Sequence, residues 1–147
     1  MVRTYEVYLM EEEVASSYFR REKLIYQLLI EYRMKRHLNE THLQKQVHYI
    51  TRQLPISFIQ RELLQAFSHY PHFFTHQETF VLEYPHKKSR ASIKLTNRCI
   101  TIEGDGNVDA ETAFFEVLRK LDPCFLAVNY GTDEYGWLRP VKTRKFV

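Results

Sequence analysis

Glycine and cysteine are scarce in this chain of 147 residues, at four and two, and proline occurs only five times. So few glycines and prolines leave little room for long flexible linkers. Cys99 and Cys124 are too few for a disulfide framework and have no CxxC spacing, which makes a reducing cytoplasm the expected location. No apolar run approaches the roughly 18 residues of a membrane span. The opening MVRTYEVYLMEEEV lacks the apolar core of a signal peptide and turns acidic where one stays apolar, so no leader is expected. Aromatic residues, by contrast, are plentiful: ten Tyr, ten Phe and one Trp, 14% of the chain. Disordered chains do not carry such a load, and the length suits one domain, expected over residues 1–147.

The formal net charge is +3, but the closing RPVKTRKFV holds Arg139, Lys142, Arg144 and Lys145 with no acidic side chain. Without those four cations the formal +3 becomes −1, so the body is near neutral and the pI of about 8.8 comes largely from the tail. Proteins that grip phosphate backbones usually spread basic residues over a face or a helix, which is not the pattern here.

Residues 3–10 alternate Tyr5, Val7 and Leu9 against Glu6 and Tyr8, as in a half-buried strand. Glu11, Glu12 and Glu13 suit the positive end of a following helix, expected over 14–36 with one break near Arg21. Within it Ile25, Leu28, Leu29 and Tyr32 recur at helical spacing and predict a buried stripe. Asn39 and Thr41 offer caps for a helix over 42–54 whose apolar line is Leu43, Val47, Ile50 and Leu54. Pro55 ends or bends it, and a further helix over 56–67 turns Ile56, Ile59, Leu63 and Phe67 inward.

After Tyr70–Pro71 the period changes. Residues 79–84, 89–97 and 98–104 read as strands, the last two joined tightly over Thr96–Arg98. Glu103 to Gly106 is expected to be a turn, and Asp109 a cap for a helix over 110–121 with Ala113, Phe114, Val117, Leu118 and Leu121 on a wide apolar face. Strands at 124–128 and 135–138 follow, separated by a Gly131-Thr132-Asp133 turn. The order predicts an α/β or α+β domain: one mixed or antiparallel sheet, several helices packed on it, and no repeat.

Chemistry-bearing motifs are sparse. Among seven histidines, His72 and His76 stand four apart, a spacing that converges only on a helix, and Pro71 with the β-prone Phe73-Phe74-Thr75 disfavours one. Only Glu78 is at hand to extend such a ligand set, so the histidines read as solvated loop residues. Gly104-Asp105-Gly106 lacks the full glycine pattern of a phosphate loop, and no lysine follows it into a helix. Cys124 begins an apolar strand, where cysteine usually acts as a small buried hydrophobe. No catalytic constellation declares itself; neither an enzyme nor a cofactor or metal is expected.

Two helices instead carry more apolar surface than one core can absorb. Val14 and Tyr18 stack four residues apart, beside a neighbouring face of Ala15, Phe19 and Tyr26, and Arg21 extends the outer face. On the helix at 42–54, Gln46, Tyr49 and Gln53 run beside the core line rather than in it. Tyrosine and arginine at a surface are the residues most enriched in binding hot spots. The same pattern also fits edge-of-core tyrosines with solvated hydroxyls.

ETAFFEVLRKLDPCFLAV at 111–128 and YGWLRPVKTRKFV at 135–147 resemble the sporulation inhibitor of replication (SirA) family of endospore-forming bacteria. Tyr5, Tyr8, Leu9, Glu12, Glu13, Ala15, Tyr18, Phe19, Arg21 and Glu22 fit the opening strand and helix of that family, as do Gln46, Tyr49, Ile50, Thr51 and Pro55 further on. Residues 56–100 match weakly. The resemblance implies a small cytoplasmic α/β protein that binds the N-terminal domain of the replication initiator DnaA, one to one and without catalysis, and so restrains new rounds of replication. The family's contact surface would transfer to Val14, Ser17, Tyr18, Arg21, Gln46 and Tyr49, with an aromatic residue common at the position Val14 holds. No membrane and no direct nucleic-acid contact are implied. The alternative class is a nucleic-acid-binding domain using the basic tail and exposed aromatics, whose affinity would fall steeply with salt.

Overall fold

The computed structural model describes residues 2–35 and 41–139. The alternating N-terminal segment forms β1 (Val2–Leu9). It leads into a short helix, α1 (Glu12–Ser17), and a longer one, α2 (Glu22–Lys35), then α3 (Thr41–Ile50) and α4 (Ile56–Phe67). β2 (Phe73–His76), β3 (Thr79–Tyr84), β4 (Ser89–Leu95) and β5 (Ile100–Gly106) follow, then α5 (Asp109–Leu121), β6 (Phe125–Asn129) and β7 (Glu134–Trp137). The seven strands make one sheet in the order β2-β3-β4-β5-β1-β6-β7, with every neighbouring pair antiparallel. This is the α+β domain expected, with its sheet wholly antiparallel.

The two-residue period of β1 sorts the helices into layers, since successive side chains point to opposite faces. Odd-numbered Arg3 and Tyr5 reach Glu111 of α5, while even-numbered Glu6 takes Arg33 of α2. α5 and α2 therefore cover opposite faces. Under α5, Phe114 and Leu118 are sealed against Ile93, Ile100 and Ile102, and on the other face Ile25, Tyr26 and Leu29 of α2 are buried. Leu28 and Tyr32 of the expected stripe are only half-buried.

Four local expectations change. The helix after Thr41 stops at Ile50 rather than Leu54. The chain there joins β1, with a Met10–Thr51 bridge and Arg52 N–H donating to Leu9 O at 2.7 Å, while Leu54 N–H is drawn to Asn97 O at 2.8 Å. Leu54 is buried all the same, from extended chain, and Gln53 leaves the helical row. Asn39 lies outside the described residues. The Glu103–Gly106 segment is strand, not turn: Gly104 pairs with Ala91 and Arg3, and Gly106 with Ser89.

Asp109 sits in the first turn of α5 and does not cap it. The Asn107 side chain accepts from Asp109 N–H at 2.8 Å, and Ser89 Oγ accepts from Ala110 N–H at 2.9 Å. Finally, Phe73–His76 forms an edge strand. Gln77 and Glu78 turn it back at φ 49° and 65°, the left-handed pair a two-residue hairpin requires.

Candidate protein-binding face

The opening helix breaks before Arg21, between Tyr18 and Arg20. Tyr18 ends α1 with φ −103° and ψ 18°, and Arg20 takes the left-handed conformation at φ 70°. The new start is fastened by Glu22, whose carboxylate accepts from Arg20 N–H at 2.9 Å and from Trp137 Nε1–H at 3.1 Å. This turn keeps Tyr18 and Arg21 outside the regular helices while holding them against their neighbours. Val14 still stands one turn before Tyr18, as the spacing predicted.

One backbone hydrogen bond brings the start of α1 beside α3, and a second ties it to the segment before β6. Glu11 N–H donates to Ile50 O at 2.8 Å and Met10 N–H to Cys124 O at 2.9 Å, so the start of α1 is sewn to the end of α3 and to the mouth of β6. The result is a groove of about 420 Å³ between the two segments. Val14 and Tyr18 form one wall, Leu28 of α2 lies in it, and α3 supplies the other wall through His42, Lys45, Gln46, Tyr49 and Ile50. Val14, Tyr18, Leu28 and Ile50 are half-buried, packed on the edge of the core. Gln46 is exposed, and Tyr49 is 80% exposed.

Of the six expected site residues, Val14, Tyr18, Gln46 and Tyr49 share the groove. Ser17 and Arg21 are exposed beside it: Arg21 Nη2 donates to Ser17 O at 2.7 Å, and the guanidinium lies over the Tyr18 ring. Gln53, expected on the same row, does not join them. Leu28, His42 and Lys45 were not singled out. The signal for the last two was present, since 42, 45, 46 and 49 fall on one helical face, whereas Leu28 reads from sequence as ordinary core.

A groove lined mainly by apolar and aromatic carbon, with a lysine, a glutamine and a tyrosine hydroxyl on its edge, offers contact rather than chemistry. The thiols offer little either. Burial, and then the charge of Glu6, push the Cys99 thiol up to about 12, and burial also raises Cys124, so neither is an activated nucleophile at neutral pH. Among the described residues no group of three or more His, Cys, Asp or Glu is placed to hold a metal ion. Nor is any helix among them long and apolar enough to cross a membrane. Of the basic tail, Arg139 donates from Nε to Arg119 O at 2.9 Å, and Lys142, Arg144 and Lys145 lie outside the described residues.

Comparison with known proteins agrees along the whole chain. The family model for the sporulation inhibitor of replication protein SirA matches residues 3–142. The protein of that name from Bacillus subtilis (strain 168) is 36% identical over 151 residues, an alignment covering 100% of this chain and 100% of the relative. The match runs through both walls of the groove and every strand of the sheet, and the chain belongs to the SirA family of sporulation inhibitors of replication.

Proposed function

We propose that this chain inhibits the initiation of chromosome replication during sporulation by binding the N-terminal domain of the initiator DnaA through the groove between Tyr18 and Tyr49. The observation that carries the reading is convergence: Val14, Tyr18, Gln46 and Tyr49, from segments about thirty residues apart, line one groove. Two arguments of different kind select those residues. One is helical periodicity, which leaves them beside the core; the other is the family resemblance, which assigns them to a contact surface.

The mechanism is occlusion. The initiator's N-terminal domain recruits other replication proteins and supports self-association, so a protein seated on that surface stops initiation without touching DNA. Tyr49 and Tyr18 would form the apolar centre of the interface, with Arg21, Ser17, Gln46 and Lys45 on a polar rim, the usual division of such a patch. An interface of standard size buries about 1,600 Å² in all, more than the groove itself, so the partner also covers the surrounding faces of α1 and α3. Binding is one to one, takes place in the cytoplasm where the initiator works, and requires no catalysis.

Isothermal titration calorimetry of the full chain against the isolated N-terminal domain of its own organism's DnaA tests this. Saturable binding with one site per chain is expected. Absence of heat at concentrations of about 50 μM, where even a Kd of about 10 μM would register, contradicts it.

A further inference from the structure

On the side of α3 away from the groove lies a second cavity, about 390 Å³ in volume and of quite different character. It is walled by Tyr8 and Glu6 of β1, Tyr32 of α2, His48 and Thr51 at the end of α3, and Arg98 of the β4–β5 connection. That volume is within the range of small-molecule sites.

The two charges in its wall, Glu6 and Arg98, do not pair with each other. Glu6 is already engaged: Arg33 donates to its Oε2 at 2.7 Å and the Tyr8 hydroxyl to its Oε1 at 2.6 Å. Arg98 has no carboxylate partner among the described residues. Its Nη1 donates to Thr51 O at 3.0 Å and to Thr51 Oγ1 at 3.3 Å, which fixes the guanidinium in place and leaves Nη2 and Nε without a protein acceptor among the described residues. Also without a hydrogen bond there are the Tyr32 hydroxyl and the His48 imidazole. Burial, and then the Arg98 charge, lower the His48 pKa, so at neutral pH the ring is uncharged and still presents one N–H. A half-buried guanidinium with two free nitrogens, sharing a cavity wall with two neutral donors while the Glu6 carboxylate is taken up by Arg33 and Tyr8, is an arrangement for an anion.

We propose that this cavity binds a small oxyanion, a phosphate or carboxylate group, gripped by the free edge of the Arg98 guanidinium with His48 and Tyr32 donating at its sides. Each donor comes from a different element, β4–β5 connection, α3 and α2, so the bound anion would clasp α3 from behind. The site stands apart from the groove, and its existence does not depend on the identity of the groove's partner.

The test is a titration of the ¹⁵N-labelled full chain with inorganic phosphate, and separately with acetate, at constant ionic strength balanced by chloride and followed by amide chemical shifts. Saturable shifts are expected, clustered at His48, Thr51, Arg98 and Cys99, with an apparent Kd of about 1 mM or tighter. Arg98→Gln should weaken that binding by about tenfold or more, and Tyr32→Phe, which keeps the ring, by about threefold. Stronger shifts with phosphate than with acetate would identify a phosphate-bearing ligand, and the reverse a carboxylate. Linear, unsaturated shifts, or shifts centred on Lys87, Lys88 and Arg90, would overturn the proposal. So would undiminished affinity in folded Arg98→Gln. If Arg98→Gln fails to fold for want of its bonds to Thr51, Tyr32→Phe decides, and undiminished affinity there overturns the proposal.

Discussion

The guanidinium of Arg21 lies over the ring of Tyr18, 5.2 Å from its centroid, while Nη2 of the same group donates to the Ser17 carbonyl at 2.7 Å. Three residues proposed to meet the partner are thus tied together across the break between α1 and α2. A cation–π contact at the protein surface contributes about 0.5–1 kcal/mol, small for the fold but enough to hold the tyrosine ring in one orientation before the partner arrives. Ordering it in advance removes part of the entropy cost of binding.

Arg21→Ala should therefore weaken binding to the DnaA domain by about fivefold while changing folding stability by no more than about 0.5 kcal/mol. Arg21→Lys should recover only part of the loss, because an ammonium cannot stack on the ring and reach the Ser17 carbonyl together. Calorimetric titration of the three proteins, with urea denaturation as control, checks both statements.

Val14 stands in the groove wall, at a position where the family resemblance implies that an aromatic residue is common. Phenylalanine there would bury more carbon, and at about 25 cal/mol per Å² the difference is on the order of 1 kcal/mol. Val14→Phe should tighten binding by about fivefold. A loss of affinity in the same titration would mean that the partner's surface is shaped to the valine.

On the opposite face of the sheet, the Glu111 carboxylate rests against the backbone of Gly104. A Cβ at that position would lie 1.9 Å from Oε1. The carboxylate is buried and held by Arg3 through Nε at 2.8 Å and Nη2 at 2.7 Å, and by the Tyr5 hydroxyl at 2.7 Å. Gly104→Ala would push Glu111 off its partners and leave a buried charge short of hydrogen bonds. It should destabilise the fold by about 3 kcal/mol. Since α5 and the groove lie on different faces, the folded fraction should bind its partner as before, which urea denaturation and titration together can establish.

Acid should loosen the turn before α2. Burial acts to raise the Glu22 carboxyl, but hydrogen bonds from Trp137 and from the backbone at Glu22 and Arg20 outweigh it and hold the pKa below its ordinary 4.5. A carboxyl depressed in the folded state stabilises the protein above the unfolded value. That stabilisation is lost as pH falls from about 4.5 through the lower folded value. Trp137→Phe removes one of those donors, so the stability difference between about pH 6 and about pH 3 should shrink. Urea midpoints measured across that range would show it; an unchanged pH profile would mean that Trp137 does not hold the Glu22 charge.

How far the fold could be read in advance depended on whether its instructions were local. α4 and β3 are each written in their own residues, through the 3–4 spacing of Ile56, Ile59 and Leu63 and the compact TFVLEY run, and both appear at the expected bounds. The end of α3 is not, because Leu54 continues the helical spacing while the bonds that stop the helix come from Leu9 and Asn97. Asp109 looks like a cap, yet the capping atoms belong to Asn107 and to Ser89, twenty-one residues from the amide it accepts. β2 carries two histidine neighbours and turns on Gln77 and Glu78, without the glycine or asparagine that ordinarily marks such a hairpin. The groove was half legible: Val14, Tyr18, Gln46 and Tyr49 stood out as surplus to the core, but Leu28 and the facing of the two walls depend on the Glu11–Ile50 hydrogen bond, which no periodicity reveals.

Tyr49 separates binding from folding better than Tyr18 does. Tyr18 is half-buried against the core, so its removal disturbs both, whereas Tyr49 is 80% exposed. The decisive measurement is calorimetric titration of Tyr49→Ala against the DnaA N-terminal domain, paired with its thermal unfolding. A loss of about 2 kcal/mol or more in binding, the size expected of a hot-spot tyrosine, with a melting temperature within about 2 °C of the parent chain, is the predicted result. Binding at full strength by a folded Tyr49→Ala protein would contradict the groove as the site of inhibition.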